Sequence, residues 1–169
     1  MLKIIIAIIF IVTVIFLFSQ SIPETNTVAL FDAVYMDKIS DIERLLNKGA
    51  KLERLYRSIF PGRSEVIGNI DSYKGESPLH AAAGWGRERV IKYALLHGVD
   101  FTVPNKYGNT PLHTAVANEQ VDIVRLLADK KDLLNIKNEA GSTPLDAAKN
   151  SSSNVKHKII ESILETASK

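Results

Sequence analysis

The chain contains no cysteine. That excludes disulfide frameworks, thiolate-ligated zinc, CxxC redox chemistry, a cysteine nucleophile and lipid attachment through a thiol. It also lacks a charge excess. Lys and Arg number 21 against 19 Asp and Glu, for a net charge of +2, so nucleic acid is not an expected partner. The phosphate cradles GxxxxGK[ST] and GxGxxG are missing, as are a GxSxG nucleophile turn and an HExxH metal pair. No carboxylate cluster accompanies the histidines, which are His80, His97, His113 and His157. The expectation is a protein that is not an enzyme and needs no metal or other cofactor. A hydrolase would require a nucleophile and a base that these residues do not supply.

What is present is unevenly distributed. A length of 169 residues allows one compact domain or one repeat array. The apolar residues concentrate at the start, where Ile4 to Phe18 holds a single polar side chain, Thr13. Lys3 precedes this run and no further charge occurs before Glu24. A basic start, an apolar stretch and then Ser19 and Ser21 predict a secretory signal over residues 1–21, cleaved after about Ser21. An uncleaved anchor is the other reading, because the uncharged stretch through Ile22 approaches the roughly 20 residues that span hydrocarbon. Both place residues 24–169 on the outer side of the membrane.

The remainder is repetitive. Gly75-Glu-Ser-Pro-Leu-His-Ala-Ala82 returns as Gly108-Asn-Thr-Pro-Leu-His-Thr-Ala115 and again as Gly141-Ser-Thr-Pro-Leu-Asp-Ala-Ala148, each copy 33 residues after the last. A fixed period of this length means stacked supersecondary units. Ser77, Thr110 and Thr143 read as N-caps, each followed by a proline at the first helical position, where a missing N–H costs nothing. Val90, Ile91, Ala94 and Leu95, and then Val121, Ile123, Val124, Leu126 and Leu127, give a second helix with apolar spacing of three and four. Leu112 and Leu126 are expected in the central stack. Gly98 predicts a left-handed C-cap, and Gly75, Gly108 and Gly141 predict tight turns of positive φ.

The TPLH copies and their period resemble the ankyrin repeat family. The resemblance implies an all-α solenoid of about four helix-turn-helix repeats with hairpin-like turns, here preceded by the hydrophobic segment. The repeat domain is expected over 22–169, with repeats at about 27–50, 73–105, 106–138 and 139–169. It also implies that His80 and His113 hold the turns together by hydrogen bonds. Two departures stand out. Leu30 and Gly49 match Leu79 and Gly98, so the first repeat carries about 16 extra residues within an insertion at 51–70. Lys131 stands where a glycine is expected, so the third repeat must end differently or hold a strained cap.

Ankyrin arrays bind proteins, and the resemblance places their contacts on turn tips and on the face of the first helices. That selects Tyr73, Lys74, Trp85, Arg87, Tyr107 and Asn118, with Ala83 and Val116 among the varying positions of the first helices. Trp85 reads equally as packing between repeats. In the insertion Leu52, Leu55, Tyr56 and Ile59 have helical spacing before Pro61-Gly62, predicting a short helix or a finger. Its candidates are Arg54, Tyr56, Arg57, Phe60 and Arg63. The alternative is that the insertion folds back over the first repeat. The expectation is an exported, bacterial, periplasmic monomer or heterocomplex that binds another protein, either as an immunity-type inhibitor of a toxin or as an accessory to an envelope enzyme. A second expectation is an inner-membrane scaffold attached through residues 4–18.

Overall fold

A computed structural model describes residues 26–53, 63–64, 68–69, 75–151 and 154–169. The described residues form helix pairs: α1 (26–35) with α2 (Ile39–Asn47), α3 (Pro78–Gly84) with α4 (Glu88–Leu96), α5 (Pro111–Ala117) with α6 (Val121–Ala128), and α8 (Pro144–Asn150) with α9 (Val155–Ala167). A single-turn helix, α7 (Lys131–Leu134), follows α6.

The predicted starts are present in atomic detail. His80 N–H donates to Ser77 Oγ at 3.3 Å and Asp146 N–H to Thr143 Oγ1 at 3.2 Å, so the caps satisfy amides that the first turn leaves unpaired. Between the helices of the first three pairs the chain reverses within three residues, and one residue adopts positive φ. That residue is Asp37 (φ 54°) in the first pair, Gly86 (66°) in the second and Glu119 (56°) in the third. Only the second copy uses the residue that occupies this region without cost.

Packing repeats along the array. Leu30, Leu79 and Leu112 are fully buried at equivalent positions, as are Ile42, Ile91 and Val124 behind them. Each such side chain contributes roughly 1.5–3 kcal/mol by leaving water. Ile160 and Leu164 of α9 close the stack. At the tips Asn105 N–H bonds Asn109 O at 2.8 Å and Asn138 N–H bonds Ser142 O at 3.0 Å, closing the hairpin-like turns.

Several details differ from the sequence reading. Ala83 and Val116 are fully buried, both inside the hydrophobic cluster that runs through the stacked helices. Leu126 is only partly buried and Leu127 fully so, a rotation of one position around α6. Ile159 is 41% exposed while Ile160 is fully buried. The third repeat has no left-handed cap at Lys131. The chain winds one more turn through α7, buries Leu133 and Leu134, and Lys131 Nζ donates to Ala167 O at the end of α9.

In the insertion Leu52 is buried in a turn rather than a helix, and Arg63–Ser64 (β1) pairs antiparallel with Gly68–Asn69 (β2). The ladder fits the finger reading over those residues. Its candidates Arg54, Tyr56, Arg57 and Phe60 lie outside the described residues, as do Tyr73, Lys74 and the apolar run at 4–18. No described helix is long and apolar enough to cross a membrane.

Candidate functional site

The buried histidines set the frame on which the site rests. His80 Nε2 lies 2.9 Å from Asn109 O and His113 Nε2 lies 3.0 Å from Ser142 O. A carbonyl oxygen only accepts, so both rings carry their proton on Nε2. Nδ1 then accepts from the cap hydroxyls, Ser77 Oγ at 2.7 Å and Thr110 Oγ1 at 2.9 Å. Burial holds His80 at a pKa of about 4 and lowers His113 as well, so both rings are neutral near pH 7. Each ring ties its own helix start to the next turn. Among the described residues no group of three His, Asp or Glu is placed to hold a metal ion.

Between α3 and α5 these ties leave a groove of about 250 Å³, lined by Glu76, His80, Ala81, Gly84, Trp85, Thr114 and Asn118. Small residues make it. A Cβ at Gly84 would lie 3.2 Å from Thr114 Cγ2 and 3.3 Å from Asn118 Nδ2, so a side chain there would press on α5 and fill the floor. Gln120 Nε2 donates to Gly84 O at 3.1 Å and fixes the spacing of the two helices at this end. At the other end Asn105 Nδ2 donates to Glu76 Oε1 at 2.8 Å. Burial raises the Glu76 pKa against the opposing effects of Asn105 and nearby Lys106.

Trp85 caps α3 and stands at the mouth of the groove, partly buried against the core. Its ring meets the Tyr35 ring edge-to-face, with centroids 5.3 Å apart. Arg87 places its guanidinium carbon 5.4 Å from the Tyr35 centroid. The Arg87 Nε is buried without a hydrogen-bond partner among the described residues. Tyr35 remains 41% exposed and Met36 47%. Such aromatic–arginine clusters are enriched among the anchors of protein interfaces.

The structure thus brings together three of the residues selected from the sequence. Trp85 and Asn118 line one groove and Arg87 joins Trp85 through Tyr35. Trp85 packs against the core, as one reading of it expected, and also lines the groove. Tyr107 stands apart at a tip, 55% exposed, with Lys106 Nζ 4.9 Å over its ring. Arg63 is described through its backbone pairing with Asn69. Sequence reading passed over Tyr35 and Met36. The offset of 49 that relates Leu30 to Leu79 places Met36 opposite Trp85 and would have found them.

A family model of ankyrin repeats in three copies matches residues 30–138 and again 79–168. The chain is an ankyrin-repeat protein. This family is typically one of non-enzymatic interaction domains. Rabankyrin-5 of Homo sapiens is 33% identical over 82 residues, covering 48% of this chain and 7% of that protein. Alpha-latrocrustotoxin-Lt1a of Latrodectus tredecimguttatus is 30% identical over 117 residues, 69% of this chain and 7% of the toxin. A putative ankyrin repeat protein of Fowlpox virus is 33% identical over 112 residues, 63% of this chain and 28% of that protein. The ankyrin chain therefore spans only a small part of the length of these relatives, and the likeness is one of repeats.

Proposed function

We propose that this ankyrin array is a non-catalytic binding module that takes a protein partner on its first-helix face, with Tyr35, Trp85 and Arg87 as anchors beside the groove. The observation that carries this reading is the edge-to-face and cation–ring cluster of those three side chains, partly exposed at the mouth of a formed groove. The insertion residues Arg54, Tyr56, Arg57, Phe60 and Arg63 remain further candidates for the contact, from their residue types. The module works outside the cytoplasmic membrane, in the periplasm, after cleavage of residues 1–21. It serves there as an immunity-type inhibitor of a toxin or as an accessory to an envelope enzyme. The basic start, the apolar run and the serines that follow support export.

The length of the apolar run Ile4 to Phe18 supports a second reading, a membrane-anchored scaffold in which this run is retained. The test is crosslinking of tagged full-length protein in intact cells, with the bait's own amino terminus read from the same mass spectra. One stoichiometric envelope protein and a bait beginning near Ile22 is the expected result, and the captured protein separates toxin from client enzyme. No enriched protein and a bait beginning at Met1 would replace this reading with the scaffold.

A further inference from the structure

The groove beside Trp85 is lined by electron-rich groups. Among the described residues Glu76 is the one carboxylate lining it, and none of them contributes a lysine or arginine. Asn105 takes Oε1 of Glu76, and no ion pair joins Glu76 to any described residue. Lys106, whose charge acts on Glu76, lays its ammonium over the Tyr107 ring. Asn118 lines the far wall, its Nδ2 donating to Thr114 O at 2.9 Å. The His80 ring at the inner end is neutral and both its nitrogens are engaged. A carboxylate and an indole ring therefore line a volume of about 250 Å³. Both are electron-rich.

We propose that the groove receives the cationic side chain of a basic residue on the partner, stacked against Trp85 and paired with Glu76. A guanidinium suits both groups together: its planar face lies on an indole while its N–H donors meet a carboxylate. Ala81 and Gly84 give the side chain its depth, since neither carries atoms beyond Cβ. The inference rests on the reading of this face as a protein-binding surface and specifies the chemistry that the surface selects.

The chain has one tryptophan, so emission from Trp85 reports on the groove directly. Full-length protein is titrated at low salt with the acetylated, amidated pentapeptide Gly-Gly-Arg-Gly-Gly and with the same peptide carrying citrulline, which has the arginine shape without the charge. The arginine peptide should give a saturable change, and the citrulline peptide should bind about fivefold more weakly, the size of a half-exposed ion pair. Glu76→Gln keeps an acceptor for Asn105 and should weaken the arginine peptide by about the same factor with an unchanged unfolding temperature. Asn118→Asp should tighten it. Equal binding of the two peptides, or an arginine affinity untouched by both substitutions, would overturn the inference. Partner capture that is lost in Tyr35→Ala while the arginine peptide fails to bind would leave the binding face standing and remove only the cation.

Discussion

His113 and Ser142 are joined by a ring N–H to carbonyl hydrogen bond of 3.0 Å that ties the start of one helix to the turn of the next repeat. The same bond joins His80 to Asn109. In the last copy Asp146 takes the histidine position. It accepts from Thr143 N–H at 3.0 Å and from Thr143 Oγ1 at 2.7 Å. The local cap survives there and the bond onward to a further turn does not.

Acid should therefore loosen the array. His80 is neutral when folded, with a pKa of about 4 against an ordinary 6.5, so the unfolded chain takes the proton first. Stability is fully present above about pH 6.5 and falls as the pH drops toward about 4, by roughly 3 kcal/mol for this residue. His113 acts in the same direction. Urea unfolding between pH 4 and 8 should show this slope, and His80→Gln should flatten it.

The core should distinguish neighbours on α6. Leu112 and Leu127 are fully buried, so replacement of either by Ala should cost about 2–5 kcal/mol. Leu126, partly buried beside them, should cost less than Leu127. Chemical denaturation of the three variants checks the order.

Two glycines of equal φ should respond differently to alanine. Gly98 and Gly86 both have φ 66°, yet a Cβ at Gly98 meets nothing within 4 Å, whereas at Gly86 it would lie 2.4 Å from Gln120 Oε1. Gly98→Ala should cost about 1 kcal/mol from backbone strain alone. Gly86→Ala should cost more, because Gln120 must leave its bond to Gly84. In a Gln120→Ala background the difference between the two substitutions should shrink, as thermal melts of the four variants would reveal.

Binding should depend on the aromatic cluster and on the insertion separately. Tyr35→Ala removes the ring that carries Arg87 and abuts Trp85, and should weaken partner capture by about tenfold or more with unchanged helicity. Arg57→Glu should also weaken capture. Titration of the crosslinked partner against each purified variant, with circular dichroism alongside, reads both effects.

The helix starts were legible because they are local. Ser77, Thr110 and Thr143 sit one residue before proline, and cap chemistry depends on a few consecutive residues. The second-helix register was legible only to within a residue. Leu126 and Leu127 are both apolar, and which of them turns inward depends on the tilt of α6 against its neighbours. Ala83 and Val116 looked available because they vary between repeats, but small apolar positions vary inside a stack as well. The candidate site was half legible. Trp85, Arg87 and Asn118 follow from the repeat register, while Tyr35 required superposing a first copy displaced by the insertion.

The sequence by itself determined the repeat and its caps, because each is encoded within one period and recurs. Only the tertiary structure decided that Asp37 and Glu119 would adopt positive φ, where the repeat offers glycine at just one of the three equivalent positions. Contacts from the following repeat hold both acids: Arg89 bonds Asp37 at 3.2 Å, and Asn154 bonds Glu119 at 2.6 Å. Backbone strain of this kind persists when partners distant in sequence over-determine it, and such partners meet only after the repeats have stacked.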